Sequence, residues 1–75
     1  MKETRIQNTI QILLDNIWEA QEKQNVSTYR LSKMSGVSEA TLSKMKSDPN
    51  ANPTLMTIVR LINALSLTIC FKKKI

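Results

Sequence analysis

The chain has 75 residues, a net charge of +5, no histidine and one cysteine, Cys70. A chain of this length makes one domain that buries about 60% of the surface its unfolded form exposes, so a partner copy is an expected support. One cysteine and no histidine exclude a disulfide framework and leave almost no ligand set for a metal.

The longest unbroken apolar run near the N-terminus, Ile12-Leu13-Leu14, is far short of a secretion signal or a membrane span. The expected setting is therefore the cytoplasm, with no membrane partner. Charge is unevenly placed. Residues 1–26 hold three basic and four acidic side chains, and residues 27–75 hold eight basic and two acidic. A basic second part favours a polyanionic partner over a merely solubilising surface only if its shape also fits one.

Residues 4–23 read as an amphipathic helix. Ile6, Ile10, Leu13, Leu14, Ile17 and Trp18 form the apolar stripe, with Trp18 a core residue, and Gln7, Gln11, Asp15, Glu19 and Glu22 form the opposite face. Gln24-Asn25 ends it.

Residues 26–34 and 37–45 then share the frame V-S-x-x-x-L-S-K-M. Ser27 and Ser38 stand where N-caps belong, and Val26 with Leu31 and Val37 with Leu42 have the spacing of hydrophobic staples. Met34 and Met45 continue the apolar face in each copy. Gly36 can adopt a left-handed conformation between them. Two short helices, about 28–35 and 39–47, thus make a helix-turn-helix, and two copies are too few for a solenoid. The exposed residues differ between the copies: Tyr29, Arg30 and Lys33 on the first helix, against Glu39, Ala40, Thr41, Ser43, Lys44 and Lys46 on the second. Short side chains near the start of the second helix would let it approach base edges, with lysines attracting phosphate.

The polar run 47–52 reads as a loop. Asn52 as N-cap and Pro53 at the first helical position open a helix over 53–65, with Leu55, Ile58, Val59, Ile62 and Leu65 as its stripe. From Leu67 the period becomes two: Leu67, Ile69 and Phe71 alternate with Thr68, Cys70 and Lys72, giving a strand over about 67–73. A lone strand cannot satisfy its own backbone, so these three apolar residues are expected to pair with a second copy in a symmetric dimer; the alternative is a tail that merely covers the core.

The segment Thr28 to Ser47 resembles the helix-turn-helix of the Cro and phage-repressor type, the XRE family. The resemblance lies in Leu31, Ser32, Ser35-Gly36-Val37, Leu42 and Met45, followed by a polar loop and a further helix. With the long first helix it covers roughly residues 5–66 of a chain expected to be one domain, 1–75, and it implies an all-α, four-helix DNA-binding core, bound as a homodimer to double-stranded DNA with its third helix in the major groove. Carried onto this chain, Glu39, Ala40 and Lys44 would face bases, and Ser38, Thr41 and Ser43 the groove walls. Ser27, Thr28 and Ser47 match phosphate-holding positions. Lys44 could donate to guanine, Glu39 accept from cytosine N4 and Ala40 meet a thymine methyl; Glu39 could instead be only a favourable charge at a helix start.

The chain departs from the family pattern at Thr28, where a glutamine is usual, and at Lys46, where an acid often stands and a phosphate contact is expected here. Ser47 and Asp48 stand where many members carry a glycine. The strand-like tail is similar to that of small antitoxins in the family. The expected function is a transcriptional repressor at a palindromic operator; the alternative is an antitoxin that neutralises a protein toxin through the acidic face of residues 7–22. An enzyme is not expected, since Gly36 is the sole glycine, Cys70 lacks a base partner and no carboxylates pair on one face. Cofactors and metals are not expected either.

Overall fold

The computed structural model describes residues 2–68, which form four helices: α1 (Lys2–Lys23), α2 (Thr28–Ser35), α3 (Glu39–Ser47) and α4 (Leu55–Ala64). Leu14 and Ile17 of α1, Leu31 of α2, Leu42 and Met45 of α3, and Ile58, Leu61 and Ile62 of α4 meet in one core. Val26, Val37, Ala51 and Leu65 close it from the connections. α2 is the hub of the bundle, packing on both α3 and α4. None of the described helices is long and apolar enough to cross a membrane.

α1 ends in a left-handed residue, Asn25, at φ 55°. Val26 N–H donates to Gln21 O and Asn25 N–H to Glu22 O, both at 3.0 Å, the bond pair of a Schellman cap. The buried Gln21 side chain strengthens the cap, its Nε2 donating to Val26 O at 2.9 Å. Two further glutamines tie distant backbone together. Gln7 Nε2 donates to Pro49 O and Ala51 O, and Gln24 Nε2 to Leu65 O. Gln7 was expected on the solvated face of α1; it is instead half-buried, because the 48–52 loop offers it two carbonyls that lie outside any helix ladder. At the same end Ile6, expected in the apolar stripe, is 60% exposed.

The start of α4 differs from the expectation. Its cap is Thr54, whose hydroxyl accepts from Thr57 N–H at 3.2 Å, and neither Asn52 nor Pro53 is helical. The β-branched Thr54 takes the extended conformation a cap requires, and Thr57 Oγ1 lies 3.0 Å from its hydroxyl. The buried face is correspondingly rotated. Leu61 is fully buried, whereas Leu55 is 76% exposed and Val59 is also exposed.

α4 closes with a second Schellman cap built on Ser66 at φ 56°, in which Leu67 N–H donates to Ile62 O and Ser66 N–H to Asn63 O. Leu67 and Thr68, the first residues of the expected strand, are therefore not in a strand: the Leu67 donor is already used, and its side chain packs half-buried on the chain's own core. Ile69, Phe71 and the rest of that segment, Cys70 included, lie outside the described residues.

Leu61→Ala is expected to lower unfolding free energy by about 2–5 kcal/mol in urea titration, since its side chain is fully buried in the core. Leu55→Ala should change it by less than about 0.5 kcal/mol.

Candidate nucleic-acid interface

The turn between α2 and α3 sets where the outer face of α3 points. Gly36 occupies the left-handed region (φ 79°, ψ 10°), and its N–H donates to Ser32 O at 2.9 Å. A Cβ there would be strained by that φ and would stand 3.1 Å from Arg60 Nη1. The buried Ser35 completes the turn. Its hydroxyl donates to Leu31 O at 2.6 Å and accepts from Val37 N–H at 3.1 Å, across the glycine. In the sequence Ser35 stands out only through the family resemblance, with no hydrogen-bonding role assigned to it. A serine at the last position of a short helix, next to glycine, is the available signal, because such hydroxyls bond back to the preceding turn.

Both helices start with the capping serine. Ser27 Oγ accepts from Arg30 N–H at 3.1 Å, and Ser38 Oγ from Thr41 N–H at 3.2 Å. Both staples hold, with Val26, Leu31, Val37 and Leu42 all buried. The methionines diverge: Met45 is 5% exposed and Met34 is 47% exposed. The expectation that Met34 shares the apolar face fails in the last turn of α2, which ends one residue later at the glycine turn.

The residues expected to meet DNA separate by what already occupies their polar atoms. Glu39, Ala40 and Lys44 are exposed on α3, and none of their side chains takes part in a hydrogen bond or ion pair among the described residues. Ser43 shares that exposure. Ser38 donates its hydroxyl hydrogen to Thr41 Oγ1 at 2.8 Å, which leaves Thr41 as the hydroxyl of the pair with a hydrogen to offer outward. Ser47 donates to Lys44 O at 3.3 Å. Ser27 spends one lone pair on its cap and keeps its hydrogen.

Lys46 is placed differently from the other lysines. Its Nζ lies 5.0 Å from the centre of the Trp18 ring and donates to Thr28 Oγ1 at 3.4 Å, so it joins α3 to α1 and α2. Burial pushes its pKa below the ordinary lysine value, because desolvation disfavours the charged form. Trp18, expected in the core, lies half-buried at the core's edge, its face covered by that ammonium. Arg30 and Lys33 extend the positive surface along α2, with Lys33 Nζ 5.3 Å from the Tyr29 ring centre.

Lys44 also borders an open groove of about 450 Å³ between α3 and the start of α4, lined by Thr41, Asp48, Asn52, Thr54 and Thr57 among others. Asn52 is expected as a cap from the sequence, where Thr54 and Thr57 have no expected role. The spacing Thr-x-x-Thr before an apolar run is the signal that could have placed them.

Residues 16–69, more than half of the chain, match the family model described as the Cro/C1-type helix-turn-helix DNA-binding domain. No curated protein and no solved structure matches the chain.

Ser35→Ala should destabilise the domain by about 1–3 kcal/mol in thermal or urea unfolding, since Val37 N–H then loses its acceptor in a buried turn.

Proposed function

Because the chain belongs to the Cro/C1-type helix-turn-helix family of DNA-binding domains, we propose that it is a transcriptional repressor binding a palindromic operator as a homodimer. Each protomer lays α3 in a major groove, and the two half-sites lie about 34 Å apart, one helical turn.

The observation that supports this best is the outer face of α3. Glu39, Ala40 and Lys44 stand exposed with no claim on their side chains among the described residues, on a helix held in place by Leu42 and Met45 from behind. Lys44 donates to guanine O6 or N7, Glu39 accepts from cytosine N4, and Ala40 meets a thymine methyl. Thr41, Ser43 and Ser38 line the groove walls. Ser27, Thr28 and Ser47 face phosphates at the helix ends, together with Lys46. Ile69 and Phe71 remain the proposed contacts between protomers.

An antitoxin role is the second reading. It is favoured by one feature of α1, where Ile12 is 63% exposed on the same side as Asp15 and Glu19 and would suit a protein partner. Co-purification of a second protein with the chain from its host supports that reading; recovery of the chain alone removes it.

Selection of bound sites from random DNA is expected to return inverted repeats with half-sites one turn apart. Isolated half-sites would remove the dimer, and no enriched sequence would remove specific recognition. Affinity should fall with salt at a log–log slope near −5, for about six phosphates neutralised. Lys44→Ala should relax base preference at one position of each half-site and cost about 1–3 kcal/mol on the selected sequence, with less effect on unrelated DNA.

A further inference from the structure

We propose that the junction of α1, α2 and α3 is a phosphodiester clasp, in which Lys46, seated on the Trp18 ring, aims the Thr28 hydroxyl at a DNA phosphate. The clasp rests on the DNA-binding reading above and assigns Lys46 a positioning role within it.

The argument begins with what each group can do. A lysine ammonium has only hydrogens to give, so in the 3.4 Å contact between Lys46 and Thr28 the threonine oxygen must be the acceptor. That leaves the Thr28 hydroxyl hydrogen free, and no acceptor takes it among the described residues. A hydroxyl that accepts from a cation becomes a better donor, and its rotor is biased to turn the hydrogen away from the ammonium. Thr28 is the first residue of α2, where the backbone N–H groups have no partner within the helix and the dipole favours an anion. No acidic residue stands in the first turn of α2 to fill that role.

Lys46 is itself held. The Trp18 face lies 5.0 Å from Nζ, an attraction that strengthens as water is excluded. The hollow beside it, about 350 Å³, is lined by Trp18, Gln21, Glu22, Val26 and Lys46. Glu22 is the acid in that lining, yet it forms no ion pair with Lys46; the ion pair among the described residues is Lys23 with Glu19. The ammonium therefore rests against a ring and a hydroxyl, with no anion paired to it among the described residues. A phosphate oxygen arriving at Thr28 supplies the missing negative charge beside it. Because a phosphate looks the same at every step of DNA, the clasp adds affinity without sequence preference.

A double-mutant comparison on a duplex of unrelated sequence tests this. Thr28→Val should weaken wild-type binding about tenfold, a loss of the size expected for a hydrogen bond to a charged group. In a Lys46→Met background the same change should weaken it by less than about twofold. Thr28→Ser should bind as wild type. Equal losses in both backgrounds would overturn the clasp, and so would no loss from Thr28→Val. Lys46→Gln, one bond shorter, replaces Lys46→Met if that variant does not fold. Trp18 is the sole tryptophan, so its emission reports directly on its neighbour. In the clasp Lys46 stays on the ring, and DNA-bound wild type keeps an emission distinct from that of Lys46→Met; convergence of the two on adding DNA would overturn it. Wild-type binding that is salt-insensitive would instead sink the DNA reading itself.

Discussion

Three consecutive residues, Ser35, Gly36 and Val37, govern how the outer face of α3 meets anything outside the molecule. Gly36 reverses the chain in a conformation that costs an L-residue roughly 1–2 kcal/mol. Ser35 then bridges the reversal with one hydroxyl, donating to the helix behind and accepting from the residue ahead. With α2 already packed on α4 as well, the turn converts the burial of Leu31 into a fixed direction for α3. Leu42 and Met45 can then reach the core only if Glu39, Ala40 and Lys44 face outward.

The two copies of V-S-x-x-x-L-S-K-M show how little of a helix must be alike for it to start and bury alike. Capping serine, staple valine and core leucine behave the same way in both. From the methionine onward the copies part. Met34 is left at the surface while Met45 is buried, and the next residue is the turn serine in one copy and Lys46 in the other. The C-terminal ends carry the difference, because one must break at a glycine while the other continues to meet α1.

Apolar spacing and capping residues make α1, α2 and α3 legible in the sequence, since both signals are local and repeat at helical intervals. Long-range polar contacts were not legible. Gln7, Gln21 and Gln24 each reach a carbonyl at a helix end or in a loop, and an amide so employed has the same sequence context as one in water. The start of α4 was misplaced because Asn52-Pro53 and Thr54 are both acceptable openings by local rules; the choice depends on which register brings Ile58, Leu61 and Ile62 onto the core together. The period-two pattern after Ser66 is genuine in the letters, but at Leu67 the Schellman cap claims the backbone first. The candidate DNA-facing residues on α3 were readable as an exposed set, whereas the tie between Lys46, Trp18 and Thr28 spans three helices and leaves no local trace.

That tie bears on modularity. Recognition helices of this architecture invite transplantation, with one outer face exchanged for another to redirect a regulator. In this chain the separable cassette ends at Lys44. Residue 46 belongs by its contacts to the scaffold, matched to an aromatic ring on one helix and a hydroxyl on another. A graft that carries a foreign residue 46 with its new outer face brings half of a lock into a body cut for a different key.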